Sequence, residues 1–107
     1  MEASPQILIV DDDAGSRKLL ARMLSSAGYI CRETDNATDA LDLVHQEQPA
    51  VLLLDFEMPG IDGAEALKRL RADPNPAIAR MPVIMLTGHG ESEHVGIVFH
   101  WAIGQIG

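Results

Sequence analysis

The sequence predicts an α/β domain in which a doubly wound parallel sheet carries helices on both faces. Strand-like apolar runs alternate along the chain with stretches of helical period. Three of these runs, residues 7–10, 51–54 and 83–86, each stop at a side chain that carries oxygen. Continuous apolar runs of this length are typical of strands that are buried on both faces. Their alternation with helices favours parallel strands joined by crossover helices.

The first half of the chain contains two strand–helix units. After the first strand, a helix is predicted to end at Gly28. The residues expected on its inner face are Leu19, Leu20, Met23, Leu24 and Ala27. A short second strand is expected from residue 29 to about residue 34, and Asn36 is a suitable N-cap for a second helix. The inner face of that helix is predicted to be Ala37, Ala40, Leu41 and Val44.

The second half repeats the unit twice, which gives the order βαβαβαβα. Asp62 and Glu65 have the spacing of a capping box for the third helix. Its predicted inner face is Ala66, Leu67 and Leu70. Residues 73–76, Asp-Pro-Asn-Pro, are expected to end that helix in a loop. After the fourth strand a weaker helical pattern opens at Glu91 or Ser92. Its apolar positions are Val95, Val98, Phe99 and Ala102.

Length and composition limit the class of protein. A chain of 107 residues that is 47% apolar and 22% charged is the size of one globular domain, residues 1–107. Its net charge of −8 argues against direct binding to nucleic acid or to an anionic membrane. No apolar run reaches membrane-spanning length, and the single cysteine, Cys31, cannot form an internal disulfide. We therefore expect a cytoplasmic protein.

Carboxylates directly follow the first and third strands. Asp11 and Asp12 follow residue 10, and Asp55 follows residue 54. Because parallel strands end at one edge of the sheet, these side chains are expected to meet there. Mg²⁺ (or Mn²⁺) prefers oxygen ligands and needs few carboxylates, so all three aspartates are predicted metal ligands. The backbone carbonyl of Glu57 could complete the metal shell, and Asp13 is expected to face the following helix.

Asp55 decides between two interpretations of the acidic run. Alone, residues 11–13 are equally consistent with a solvated start of a helix. A third carboxylate at the same edge favours a cation, beside which Asp55 can act as a nucleophile towards phosphorus. Thr87 ends the fourth strand at this edge. A threonine there usually only fits the pleated surface, but the glycines that follow it favour a switch on a mobile loop.

Three ordered segments resemble the receiver domains of bacterial response regulators. They are residues 7–13 (ILIVDDD), 55–63 (DFEMPGIDG) and 82–88 (PVIMLTG). The resemblance covers about residues 5–90, and residues 91–107 diverge. It implies a flavodoxin-like fold and a regulatory domain rather than an enzyme.

The resemblance also implies a role for each residue of the site. Asp11 and Asp12 correspond to the metal-binding acid pair, and Asp55 to the phosphorylation site. Thr87 corresponds to the hydroxyl that bonds a phosphoryl oxygen, while Gly63 fits a tight loop before the third helix. The implied partner is a sensor histidine kinase or a phosphotransfer protein of a two-component system.

The C-terminal part departs from this family. Receivers continue to a fifth strand that ends in a phosphate-pairing lysine, and then to a fifth helix. Reaching that lysine takes roughly 22 residues after Thr87, more than residues 88–107 supply. The lysines of this chain, Lys18 and Lys68, lie in helical patterns. The fifth strand and fifth helix are therefore expected to be missing or altered, with no phosphate-pairing lysine.

An altered end of the domain would expose a sheet edge and an apolar face. A homodimer formed through the C-terminal segment would cover both, and a truncated or rearranged domain is the alternative. The missing lysine also leaves open a receiver-like module that binds proteins without being phosphorylated. A Mg²⁺-dependent phosphatase of the haloacid-dehalogenase type is disfavoured, because its nucleophilic aspartate follows the first strand.

Overall fold

The computed structural model describes residues 5–56 and 58–86, together with the backbone of residues 97–99. As far as the third helix, the order of strands and helices is the predicted one. The elements are β1 (Gln6–Val10), α1 (Ala14–Ser26), β2 (Ile30–Thr34), α2 (Ala37–Glu47), β3 (Val51–Asp55), α3 (Gly63–Arg71), α4 (Pro76–Ala79), β4 (Val83–Leu86) and β5 (Ile97–Phe99).

The strands form one sheet in the order β2-β1-β3-β4-β5. Strands β1 to β4 are parallel, so the predicted doubly wound sheet is confirmed. In the register of β1 with β3, Val10 lies opposite Leu54. The acidic residues that follow these two positions therefore leave the sheet side by side at the same edge.

Strand β5 differs from the prediction. Val98 and Phe99, which the helical pattern placed in a final helix, lie in a strand that pairs antiparallel to β4. That assignment is wrong because the edge of β4 offers unpaired backbone groups, and an Ile-Val-Phe run suits a strand. The described residues thus contain a fifth strand, but it runs antiparallel to β4. Glu91, Ser92, Val95 and Ala102, the other positions of the predicted helix, lie outside the described residues.

The predicted helix ends are confirmed at three residues. The side chains of Asn36 and Asp62 each accept a hydrogen bond from the backbone N–H three positions on. Gly28 follows α1 with a φ of 100°, a conformation that glycine adopts without strain. The capping box of α3 is only half formed, because Glu65 Oε2 accepts instead from Arg69 Nε at 2.9 Å.

A short helix that the sequence did not predict, α4, begins at Pro76, the last residue of the predicted loop. Asn75 Oδ1 accepts a hydrogen bond from the N–H of Ala77 at 3.0 Å, and Pro76 occupies the start of α4. Ile78 of this helix is fully buried in the core. Four residues are too few to show a helical period in the sequence, so local patterning could not reveal α4.

Within the described residues, the two faces of the sheet are covered unequally. The inner faces predicted for α2 and α3 are confirmed, and with α4 they close the larger part of the core. On the opposite face, Leu20 and Leu24 of α1 pack against Ile7 and Ile9. None of the helices in the described ranges is long and apolar enough to cross a membrane.

The predicted inner face of α1 was wrong at two residues. Leu19 and Met23 are 57% and 60% exposed instead of buried. Helical spacing shows which residues share a face, but not whether a second element covers the full width of that face. Leu19 and Met23 thus form an exposed apolar surface on α1. The homodimer that would cover such a surface stays a prediction.

His45 joins the last turn of α2 to the turn after α3. Its Nδ1 donates to the carbonyl of Leu41 at 2.8 Å, and its Nε2 pairs with the carboxylate of Asp73. The bond to Leu41 and then the one to Asp73 raise the pKa of His45, with a smaller contribution from the charge of Asp42. The N–H of Asn75 and then His45 lower the pKa of Asp73.

These shifts predict a pH-dependent contribution to stability. A raised pKa of His45 means that its stabilisation is complete below its ordinary value of 6.5 and is lost as pH rises through the folded-state pKa. The stabilisation that arises from the lowered pKa of Asp73 is lost only when the pH falls below 3.8, the ordinary pKa of this carboxyl group. Asp73→Asn, which keeps an oxygen for the N–H of Asn75, should therefore destabilise the protein more at about pH 6 than at about pH 8. Urea unfolding at both pH values measures this small difference, and equal destabilisation would contradict it.

Candidate functional site

Strand β3 carries Asp55 to the carboxyl edge of the sheet. Asp55 is the last residue of the strand, and its side chain is 0% exposed. The N–H of Phe56 donates to the carbonyl of Leu86 at 2.9 Å, so pairing with β4 continues one residue beyond Asp55. Neighbouring strands on both sides thus fix the backbone that carries this carboxylate.

Asp11 and Asp12 follow β1 at the same edge. Asp11 is 3% exposed, whereas Asp12 is exposed to solvent. The N–H of Asp13 donates to Asp11 Oδ1 at 2.9 Å and so helps to orient that carboxylate. Carboxylate oxygens from Asp11, Asp12 and Asp55 all lie within 4.8 Å of one another. The structure therefore brings together the three aspartates that the sequence singled out.

The chemistry of this cluster fits a hard divalent cation. Two unit charges at such a separation repel each other by about 3 kcal/mol at an effective dielectric constant of ~20. A divalent cation would offset that repulsion, and Mg²⁺ commonly binds through one or two carboxylates while it keeps several waters. An all-oxygen donor set suits Mg²⁺ or Mn²⁺. The exposed Asp12 keeps the cluster open to solvent.

Asp13 faces the start of α1, as the sequence predicted, and is the N-cap residue of that helix. Its Oδ2 accepts a hydrogen bond from the N–H of Ser16 at 2.8 Å, and its backbone is extended, as an N-cap residue requires. Its carboxylate thus satisfies one of the first N–H groups of α1.

Two residues of the predicted site, Glu57 and Thr87, lie outside the described residues. Thr87 follows Leu86, which pairs in register with Asp55. Lys18 is exposed on α1, with its Nζ 3.8 Å from Glu33 Oε1, and Lys68 lies in the last turn of α3. Both lysines are thus on helices, as the sequence predicted.

Gly63 is a residue of the site whose role the sequence pattern understated. It is the first residue of α3, and its N–H donates to the carbonyl of Phe56 at 3.0 Å. A Cβ atom added to Gly63 would lie 2.4 Å from the backbone oxygen of Asp55 and 2.8 Å from Phe56 Cα. The sequence accounted for Gly63 only as part of a tight loop. A close contact between the backbone of α3 and the end of β3 produces no periodic pattern in the sequence, so the sequence could not predict it.

The geometry at the sheet edge agrees with a comparison against known protein families. The model described as "Response regulator receiver domain" matches residues 7–103. This chain belongs to the response regulator receiver family. Receivers are regulatory domains of two-component systems rather than classical enzymes.

Receiver proteins of known sequence resemble most of the chain. Sporulation initiation phosphotransferase F of Bacillus subtilis (strain 168) is 39% identical over 104 residues, which cover 91% of this chain and 80% of that protein. The phosphate regulon transcriptional regulatory protein PhoB of Pseudomonas aeruginosa is 40% identical over 88 residues, 82% of this chain. The chain spans 38% of PhoB and 34% of the probable transcriptional regulator ycf27 of Guillardia theta, so it corresponds to one part of those proteins.

Solved receiver structures share the fold. The N-terminal domain of a response regulator receiver protein from Methanoculleus marisnigri JR1 superposes with a TM-score of 0.76 at 31% identity, covering 85% of this chain and 72% of that one. Chemotaxis protein CheY4 of Vibrio cholerae gives a TM-score of 0.75 at 27% identity, covering 83% and 72%. The flavodoxin-like fold implied by the sequence motifs is therefore confirmed.

Proposed function

We propose that this chain is a cytoplasmic phosphoacceptor of a two-component system. In this proposal, Asp55 receives a phosphoryl group from the phosphohistidine of a sensor histidine kinase or phosphotransfer protein. The observation that carries the proposal is the carboxylate cluster, in which the buried Asp55 lies beside Asp11 and Asp12 with oxygens within 4.8 Å. Membership of the receiver family supports the same chemistry.

The proposed transfer needs little beyond a positioned carboxylate. A carboxylate oxygen of Asp55 forms a bond to phosphorus, and the bond between phosphorus and the donor's imidazole nitrogen breaks. That nitrogen keeps the bonding electron pair, and the product on Asp55 is an acyl phosphate. Mg²⁺ (or Mn²⁺) held by Asp11, Asp12, Asp55 and the carbonyl of Glu57 would supply charge that stabilises the phosphoryl oxygens. Strand pairing on both sides of β3 holds the nucleophile in place before the donor arrives.

The proposed switch uses Thr87, which follows Leu86 in the chain. Its hydroxyl would bond a phosphoryl oxygen and so favour one of two existing arrangements of the following loop. Both lysines lie on helices, so nothing assigns either of them to pair with the phosphoryl group.

Phosphorylation by a small-molecule donor tests the proposal. The protein incubated with Mg²⁺ and acetyl phosphate should gain the mass of one phosphoryl group, and chelation of the metal should prevent the gain. Reductive trapping of the acyl phosphate, followed by peptide sequencing, should place the modification on Asp55. A modification at another residue, or no gain at saturating donor, would overturn the proposal.

A receiver-like module that binds proteins without being phosphorylated is the second candidate. It predicts Mg²⁺ binding without a mass gain in the same experiment. Repeated hydrolysis of a phosphoester would instead identify the phosphatase that the sequence disfavoured.

A further inference from the structure

Arg17 contacts the backbone of a proposed metal ligand. It lies in the first turn of α1, where its side chain is 15% exposed. Its Nη1 donates to the backbone carbonyl of Asp11 at 2.7 Å, and its Nε donates to Glu33 Oε1 at 3.3 Å. One guanidinium therefore joins the end of β1 to strand β2.

This contact completes a set of restraints on Asp11. The N–H of Asp11 donates to the carbonyl of Thr34 at 3.2 Å, and its Oδ1 accepts from the N–H of Asp13. With Arg17 on its carbonyl, Asp11 is held from β2, from α1 and from the turn between β1 and α1. Such restraints fix the direction in which a carboxylate leaves the backbone, which metal binding requires.

The chemistry of the side chain supports a role specific to arginine. A planar guanidinium presents several donors in a fixed fork, so it can bond a carbonyl and a carboxylate at once. A lysine ammonium is a single charged point on a flexible stem. Lys18, the neighbouring cation, is exposed and lies 3.8 Å from the same Glu33 oxygen. Lys18 therefore shares with Arg17 only the contact to Glu33, and at a longer distance.

We propose that Arg17 is a positioning residue of the metal site, holding the Asp11 carbonyl so that the Asp11 carboxylate stays in ligand range of Asp12 and Asp55. The inference rests on the proposed function, because it assigns Arg17 to the same site. A purely electrostatic role makes the opposite prediction. If Arg17 acted only through its charge, it would repel Mg²⁺, and removing it would tighten Mg²⁺ binding. If Arg17 positions Asp11, removing it weakens Mg²⁺ binding.

Calorimetric titration of the full chain with Mg²⁺ measures this sign directly. Arg17→Met should weaken Mg²⁺ binding by roughly 10-fold or more, the effect of losing a partner that orients a ligand. Arg17→Lys keeps the charge but not the fork, and it should recover only part of the affinity. In phosphorylation by acetyl phosphate, the half-saturating Mg²⁺ concentration should rise, while the rate at saturating Mg²⁺ should change much less. Mg²⁺ affinity equal to or tighter than wild type in Arg17→Met would overturn the proposal.

Arg32→Met is the matched control. Arg32 lies in β2 and, like Arg17, pairs with a glutamate, since its Nη1 lies 3.2 Å from Glu47 Oε2. Its removal costs a similar ion pair and should leave Mg²⁺ affinity unchanged. An equal loss in both variants would show a general effect on stability and would also overturn the proposal. A wild-type chain that binds Mg²⁺ but gains no phosphoryl group contradicts the proposed function alone.

Discussion

Asp55→Asn is expected to abolish phosphorylation and, without metal, to make the folded protein more stable. The amide cannot act as the nucleophile, so no acyl phosphate can form at this position. The same change removes one of three carboxylates whose oxygens lie within 4.8 Å of one another, at a fully buried position. We expect the free energy of unfolding in the absence of Mg²⁺ to rise by about 1–3 kcal/mol, the scale of one close like-charge contact.

Two measurements check the expected effects of Asp55→Asn. Intact mass after treatment with acetyl phosphate should show no gain, and urea unfolding in chelator should show a higher midpoint than wild type. Addition of Mg²⁺ should stabilise the wild type more than the variant, because Mg²⁺ binds to the folded state. A variant that is still phosphorylated would exclude Asp55 as the acceptor.

Asp11→Asn separates the metal ligand from the nucleophile. It removes one negative charge from the same cluster but leaves the Asp55 carboxylate in place, and its amide oxygen can still accept from the N–H of Asp13. Phosphorylation should therefore require more Mg²⁺ in this variant, but it should not be lost. If both variants lost phosphorylation at every Mg²⁺ concentration, the two roles would not be distinct.

Gly63→Ala is expected to destabilise the protein and to disturb the site at the same time. The added Cβ would lie 2.4 Å from the backbone oxygen of Asp55, where no flexible side chain can move aside. Either α3 or the end of β3 must shift, at a cost of about 1–3 kcal/mol for overpacking of this kind. Because the shift involves the backbone of Asp55, phosphorylation at saturating Mg²⁺ should slow even in the folded fraction. Urea unfolding and initial rates of mass gain measure the two effects.

Gly15→Ala is the control for this substitution. Gly15 also lies at the start of a helix, but among the described residues a Cβ there meets only Asp13 Oδ2, at 3.4 Å. Alanine favours the helical conformation by about 1 kcal/mol over glycine, so this variant should be as stable as wild type or more stable. A similar loss of stability in both variants would show that the close approach at Gly63 is not the cause.

The local patterns of the sequence were sufficient for most of the fold. The apolar runs of β1, β3 and β4 identified the central strands, and Asn36 and Asp62 marked helix starts that the structure confirms. The aspartates could be grouped without coordinates, because the ends of parallel strands share one edge of a sheet. Each of these predictions depends on residues close together in the chain or on the general geometry of α/β sheets.

The tertiary structure decided what depends on contacts between distant parts of the chain. Exposure of Leu19 and Met23 reflects how far neighbouring elements cover α1, and the pairing of β5 reflects the edge of β4 that faces away from β3. The bond from Arg17 to the Asp11 carbonyl and the approach of Gly63 to Asp55 were also absent from any sequence pattern. The sequence by itself determined which three carboxylates meet at the sheet edge. Only the tertiary structure determined how their backbones are held, because such contacts join segments that no local period relates.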